Sequence, residues 1–209
     1  MAQFFAIHPT HPQPRLVRRA SAIVAQGGLI AYPTDSCYAL GCHLGDVRAL
    51  TRLRRVRALD ERHHLTLMCS DLAQVASVAL VNNAQYRLIK SATPGSFTFI
   101  LRARRELPRR LLHARRKTIG VRIPSHPVAR ALVAELGEPM LSATLHLPQD
   151  PTPLSDPQEI RARLEHDVDL VVDAGSCGVD PTTVVDLTED QPTVLRRGQG
   201  DLALIGLAA

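Results

Sequence analysis

The sequence predicts a single α/β domain built on a twisted, mixed β-sheet with flanking helices, and three observations carry that prediction. A chain of 209 residues suits one large domain and buries enough surface to fold without disulfide or metal staples. Apolar runs of strand length alternate with segments of helical period, the pattern of an α/β fold. The alternation is irregular, with strands paired near the C-terminus, which favours a mixed sheet over a doubly wound parallel one.

Phe4 to Ile7 reads as a short first strand. Pro14 suits the first turn of a helix in which Leu16, Ala20, Ile23 and Val24 recur at helical spacing, and Gly27-Gly28 closes it. Leu29 to Tyr32 is a strand that stops at Pro33, and the hydroxyl-rich stretch behind it reads as a loop. Val47 to Val56 is a helix with Leu50, Leu53 and Val56 facing inward and arginines on the wet side. Leu65 to Cys69 is a strand, and Asp71 has the chemistry of a helix cap. Asn82 to Ala92 reads as helix, Phe97 to Leu101 and Thr118 to Ile123 as strands, and Pro127 to Leu136 as a helix closed by Gly137. Met140 to Leu145 is a strand, and Asp156 caps a helix reaching Glu165. Leu170 to Val172, Thr183 to Leu187 and Thr193 to Leu195 complete the strands. Pro148 to Pro157, rich in Pro and Asp, is expected to be a mobile loop.

Aromatic residues make up only 3% of the chain. The core must therefore be aliphatic, and a protein that stacks single-stranded bases on exposed rings is disfavoured. Net charge is +5 and almost all of the positive charge is arginine, Lys90 and Lys117 being the only lysines. A compositional bias toward Arg explains that ratio, but not the clustering. Arg52, Arg54, Arg55 and Arg57 form one cluster, and Arg109, Arg110, Arg115, Arg116 and Lys117 another. These read either as solvated faces or as contacts to polyanionic partners, nucleotides or RNA. The four cysteines lack zinc-finger or CxxC spacing. Cys37, Cys42 and Cys69 sit in apolar runs and are expected to be buried and inert. With no secretory leader and no apolar run long enough to span a bilayer, a cytoplasmic protein without membrane partners is expected.

Four stretches carry candidate chemistry. Tyr32-Pro33-Thr34-Asp35-Ser36-Cys37 puts hydroxyls and a carboxylate at a strand end, where they either display donors into a cleft or stabilise a turn. Asp35 itself reads as a turn residue or a general base. Thr93 to Thr98 is a proline-glycine turn entering a strand. Thr118, Gly120 and Arg122 share a face of the next strand, since side chains alternate with period two. An Arg in so apolar a strand needs a partner, either an anionic ligand or a buried carboxylate. Ser142, Thr144 and His146 fall on one strand face by the same period. His63-His64 reads as a solvated loop more readily than as metal ligands, and no metal site is expected. Asp167, Asp169 and Asp173 do not by their spacing make a magnesium site.

Taken in order, YPTDSCYALGC, TPGSFTF, TIGVRIPSHP, GEPMLSATLHLP and PTTVVDLTEDQPTVLRRG resemble the YrdC/YciO family of threonylcarbamoyl-adenylate synthases and relatives. The resemblance covers residues 13–200, with residues 1–12 as an N-terminal strand and lead-in and 201–209 as a C-terminal tail. It implies a YrdC-like fold with a deep basic cavity. The implied reaction joins L-threonine, bicarbonate and ATP into threonylcarbamoyl-AMP and pyrophosphate, and feeds the modification of adenosine 37 in tRNA. ATP, with magnesium, would be a substrate, and no permanent cofactor is implied. By resemblance, Thr34 contacts the amino acid and Arg57 clamps the nucleotide, the pair serving as catalytic residues. Arg122, Ser142 and Thr182 would bind substrate, Arg122 at the threonine carboxylate. His63, Thr118, Thr144, His146 and Arg196 would face the nucleotide. Arg52, Arg54, Arg55, Arg115, Arg116 and Lys117 are the expected contacts to tRNA or double-stranded RNA.

Two departures bring the chain closer to the YciO branch. Where the synthases carry Lys-x-Arg, this chain has Arg57-Ala58-Leu59, which keeps one charge and loses the other. Where they carry Asn, it has His146. Losing one guanidinium from a phosphate clamp removes about 2–4 kcal/mol of transition-state stabilisation, so a weak or diverged synthase is expected. Two alternatives are a non-catalytic RNA-binding protein using the same basic concavity and a hydrolase of a related adenylate.

Overall fold

The computed structural model of the chain describes residues 1–60, 65–113 and 116–207. In chain order the elements are β1 (Gln3–Ala6), α1 (Pro14–Ala25), β2 (Ile30–Tyr32), β3 (Ala39–His43), α2 (Val47–Arg57), β4 (Thr66–Met68), α3 (Leu72–Val78) and α4 (Asn83–Ala92). There follow β5 (Phe97–Arg102), β6 (Thr118–Arg122), α5 (Pro127–Leu136), β7 (Met140–Thr144), α6 (Pro157–Leu164), β8 (Leu170–Asp173), β9 (Thr183–Asp186) and β10 (Thr193–Arg196). The helix boundaries have local causes. Side chains of Asp46, Asp71, Asn82 and Asp156 accept first-turn backbone N–H bonds at α2, α3, α4 and α6. Pro14 and Pro127 open α1 and α5, and Gly137, at φ +74°, closes α5 in the left-handed region.

The strands form one sheet in the order β1-β8-β2-β3-β7-β4-β6-β5-β9-β10. Parallel pairs (β1/β8, β2/β8, β4/β6, β5/β9) are interspersed with antiparallel ones, so the sheet is mixed, as expected. Period two sorts its side chains cleanly. Ala31, Leu40, Leu67, Phe99, Val121, Leu141, Val171 and Val185 belong to one core with residues of α2, α3, α4 and α6. The opposite positions Ile30, Tyr32, Ala39, Met68, Met140, Leu170 and Val172 belong to a second core with α1 and α5. Helices α1 and α5 pack on each other, and on their side of the sheet the positions Thr66, Thr98, Gly120, Ser142 and Val184 line an open cavity. Leu202 in the C-terminal segment is buried in the first core, and the short 3₁₀ turn Leu202–Ile205 packs near α4. None of the described helices is long and apolar enough to cross a membrane.

Three expectations are corrected here. The stretch behind Pro33 is not all loop, because β3 lies between β2 and β7 near the middle of the sheet. Both its faces are covered, so no polar alternation marks it. Gly41 fits because a Cβ there would stand 2.8 Å from the Tyr32 ring. The strand carrying Ser142 ends at Thr144, and His146 has left it, with Nε2 2.8 Å from the Asp150 carbonyl oxygen. The Pro148–Pro157 segment is tied down, Arg163 Nη2 bonding Asp150 Oδ1 at 2.9 Å and Leu154 N–H donating to Leu145 O at 2.9 Å. Cys37, Cys42 and Cys69 are buried as expected, and burial pushes the Cys42 and Cys69 thiols up to about 12.

Candidate functional site

The cavity holds about 630 Å³. Its floor is the exposed half of the α1/α5 side of the sheet, where β4, β5, β6 and β7 present Thr66, Thr98, Gly120 and Ser142. Gly120 keeps the floor low, since a Cβ would meet Thr66 Oγ1 at 2.9 Å and the Leu65 carbonyl at 3.2 Å. The rest of the lining comes from the segment Val179–Thr182 with β10 and from the strap Pro151–Pro153 with His146. Three guanidiniums enter from separate elements: Arg57 from the end of α2, Arg122 from the end of β6 and Arg196 from the end of β10. Asp180 at the mouth is the single carboxylate among the described lining residues.

Arg122 has a protein partner. Its Nη2 lies 2.7 Å from Asp35 Oδ1, with the two side chains 8% and 9% exposed, and its Nη1 donates to Ser36 Oγ at 3.2 Å. Ser96 Oγ donates to Asp35 Oδ2 at 2.9 Å. Burial alone would raise the Asp35 carboxyl, but the Arg122 charge and the hydrogen bonds from Arg122 and Ser96 outweigh it and hold the pKa below its ordinary value. Of the partners anticipated for Arg122, the buried carboxylate is thus present, and Asp35 is its counter-ion rather than a plain turn residue. Arg122 Nε is buried without a hydrogen bond among the described residues.

The other cations are held differently. Arg196 donates from Nε to the Thr182 carbonyl at 3.1 Å and from Nη2 to Thr182 Oγ1 at 3.2 Å. Burial lowers its pKa, and Arg122 nearby adds to that, against an opposing contribution from Cys37. Arg57 is likewise lowered by burial, and its Nε has no hydrogen-bond partner among the described residues. Guanidiniums stay charged through such shifts, so among the described residues Arg57 and Arg196 bring the cavity positive charge that no carboxylate pairs. Ser142 Oγ lies 2.8 Å from the Tyr32 hydroxyl, whose pKa burial raises.

Of the residues singled out from the sequence, Arg57, Arg122, Ser142, Thr144, His146, Thr182 and Arg196 line this one cavity. Thr34 and Thr118 are buried and do not line it. Thr34 Oγ1 donates to the Cys37 carbonyl at 2.6 Å and accepts from the Ser36 and Cys37 amides, so it shapes the turn that carries Cys37 to the wall. Leu59 packs against the core instead of offering a second cation. His63 and Arg115 lie outside the described residues. Of the expected RNA contacts, Arg52, Arg55 and Arg116 are paired with Asp169, Asp167 and Asp186 at 2.7, 2.8 and 3.4 Å. Arg54 instead donates to the Arg110 carbonyl at 2.9 Å, and Lys117 is exposed, at φ +54°. Thr66 carries no signal in the sequence, Ser36 and Thr98 lie in candidate stretches without a role of their own, and Asp35 reads there as a turn residue or a general base and not as the partner of Arg122. The pairing of Asp35 with Arg122 spans 87 residues, and no local signal reports it.

The Sua5/YciO/YrdC family model, described as "Telomere recombination", matches residues 22–198. An uncharacterized protein of Escherichia coli strain K12, YciO, is 53% identical over 202 residues, covering 97% of this chain and 98% of that protein. The crystal structure of E. coli YciO superposes with a TM-score of 0.93 at 52% identity, covering 98% of this chain and 100% of that one. A threonylcarbamoyl-AMP synthase of Halorhodospira halophila is 31% identical over 180 residues, covering 85% of this chain and 93% of that protein.

Proposed function

Because the chain belongs to the Sua5/YciO/YrdC family, we propose that its cavity binds ATP and an amino acid and forms an acyl-adenylate of the threonylcarbamoyl-AMP type, at a rate below that of a dedicated synthase. The observation that carries this reading is the convergence of Arg57, Arg122 and Arg196 on one hydroxyl-floored cavity of about 630 Å³. Arginine forks from three elements suit the dispersed oxygens of a triphosphate. The chemistry asks for no protein nucleophile. Threonine and bicarbonate give a carbamate with loss of water. A carbamate oxygen then attacks the α-phosphorus, the bond to the bridging oxygen breaks, and pyrophosphate leaves with the electron pair. The protein's part is to align the reactants and to stabilise charge on the phosphates.

Magnesium would arrive as part of the ATP substrate, since it binds through phosphates and few carboxylates, and Asp180, the carboxylate among the described lining residues, would be the protein group available to hold it. The reduced rate follows from Leu59, which packs against the core where the synthases carry a second cation, so that position supplies none beside Arg57. The test is incubation of the pure protein with ATP, bicarbonate and L-threonine, following pyrophosphate and the adenylate. Slow, threonine-dependent release of both is expected, and release independent of threonine would favour a hydrolase instead.

A second role, binding of structured RNA through phosphate contacts, is favoured by Arg54 and Arg110. Among the described residues their side chains donate to backbone carbonyls, of Arg110 and Gly45, and meet no carboxylate.

A further inference from the structure

A run of hydrogen bonds with one fixed end lies among the lining residues of the cavity. Arg196 Nη2 can only donate, so Thr182 Oγ1, 3.2 Å away, accepts from it. Thr182 is 5% exposed, and a buried hydroxyl proton without an acceptor is costly. Among the described residues the hydroxyl oxygen within reach is Thr98 Oγ1, at 2.9 Å. Either hydroxyl could donate across this contact; with Thr182 as the donor its proton has an acceptor and Arg196, Thr182 and Thr98 form one directed chain. The proton of Thr98 is then left over, and Thr98 lines the cavity with its methyl group toward Gly120, where a Cβ would lie 3.4 Å from it.

We infer that Thr98 is a ligand-binding residue, a hydroxyl donor aimed at an anionic oxygen of the cavity's occupant and polarised by Arg196 through Thr182. The chain runs from guanidinium to hydroxyl to hydroxyl, and each bond strengthens the donor of the next. The positive character of Arg196 is thereby extended onto the sheet floor, where no cation sits among the described lining residues of β5. A donor so polarised selects a charged oxygen over a neutral one, because hydrogen bonds to ionised acceptors are roughly twice as strong. The acceptor class is a phosphate oxygen. This assignment rests on the reading that the cavity holds the phosphates of a nucleotide.

The experiment is calorimetry of wild-type protein, Thr98→Val and Thr98→Ser with ATP, pyrophosphate and adenosine. Valine keeps the β-branched shape and deletes the donor, whereas serine keeps the donor. Affinity of Thr98→Val for ATP and for pyrophosphate should fall about tenfold or more, with adenosine unaffected and Thr98→Ser close to wild type. Unchanged pyrophosphate affinity in Thr98→Val overturns the assignment, as does an equal loss for adenosine, which would mean a misshapen cavity. A wild-type protein that holds pyrophosphate but not ATP refutes the nucleotide reading, and the pyrophosphate titrations alone then decide Thr98. Binding of neither ligand overturns both.

Discussion

Replacing Asp35 by Asn should destabilise the protein strongly at neutral pH and hardly at all in acid. The carboxylate and Arg122 lie 2.7 Å apart with side chains 9% and 8% exposed, so removing the negative charge leaves a buried guanidinium uncompensated. Breaking such a pair costs about 3–5 kcal/mol, and Asn can still accept one bond from Arg122, which places the loss near 3 kcal/mol. With a urea slope of about 2–3 kcal/mol/M, the midpoint falls by about 1–1.5 M. The pH dependence has a definite sign. The folded Asp35 pKa is held below its ordinary value, so its contribution is fully present above the unfolded value of about 3.9 and is lost as pH falls through the folded one. Wild type and Asp35→Asn should therefore differ most at pH 7, begin to approach each other only below about pH 4 and merge once pH is below the folded pKa. Urea titrations of both proteins across that range, together with Arg122→Ala and the double variant, give the measurement. The double variant should lose less than the sum of the single losses. Equal midpoints at pH 7, or a deficit that does not shrink in acid, would refute the role given to the pair.

Other expected outcomes follow from the same geometry. Arg57→Met should leave the urea midpoint unchanged or raised, because burial already disfavours the guanidinium, while ATP affinity measured by calorimetry drops about tenfold or more. Gly120→Ala, whose methyl would meet Thr66 Oγ1 at 2.9 Å, should weaken ATP binding with little change in the far-ultraviolet circular dichroism; unaltered affinity would remove the floor from the site. Arg54→Glu with Arg110→Glu should lower duplex RNA affinity at low salt and flatten its log–log salt slope by about 0.7–0.9 per lost contact. Titrations at two salt concentrations check this, and indifference to the reversals would end the RNA reading.

Much of the fold is legible along the chain because its causes are local. Asp46, Asp71, Asn82 and Asp156 cap helices from their own first turns, and Pro127 and Gly137 bracket α5 at the bounds their backbone preferences dictate. Period two put Gly120 and Arg122 on one strand face, and both line the cavity. The β3 strand escaped because it is covered on both faces, so its side chains carry no alternation to read. His146 escaped its strand because an extended pattern does not mark where the chain turns out of the sheet.

The site divides along the same line. Sequence by itself determined the mixed α/β domain, the apolar and polar faces of its strands, and the arginines and hydroxyls available for anion chemistry, since each depends on residues a few positions apart. Only the tertiary structure decided how those charges are spent. Asp35 meets Arg122 across 87 residues, and Asp167 and Asp169 meet Arg55 and Arg52 across 112 and 117. Whether an arginine is a free cation or half of an ion pair depends on which carboxylate the sheet order brings within about 4 Å, where the interaction is strong. Arg57 and Arg196 kept their charge for the cavity because the fold brings no described carboxylate to either.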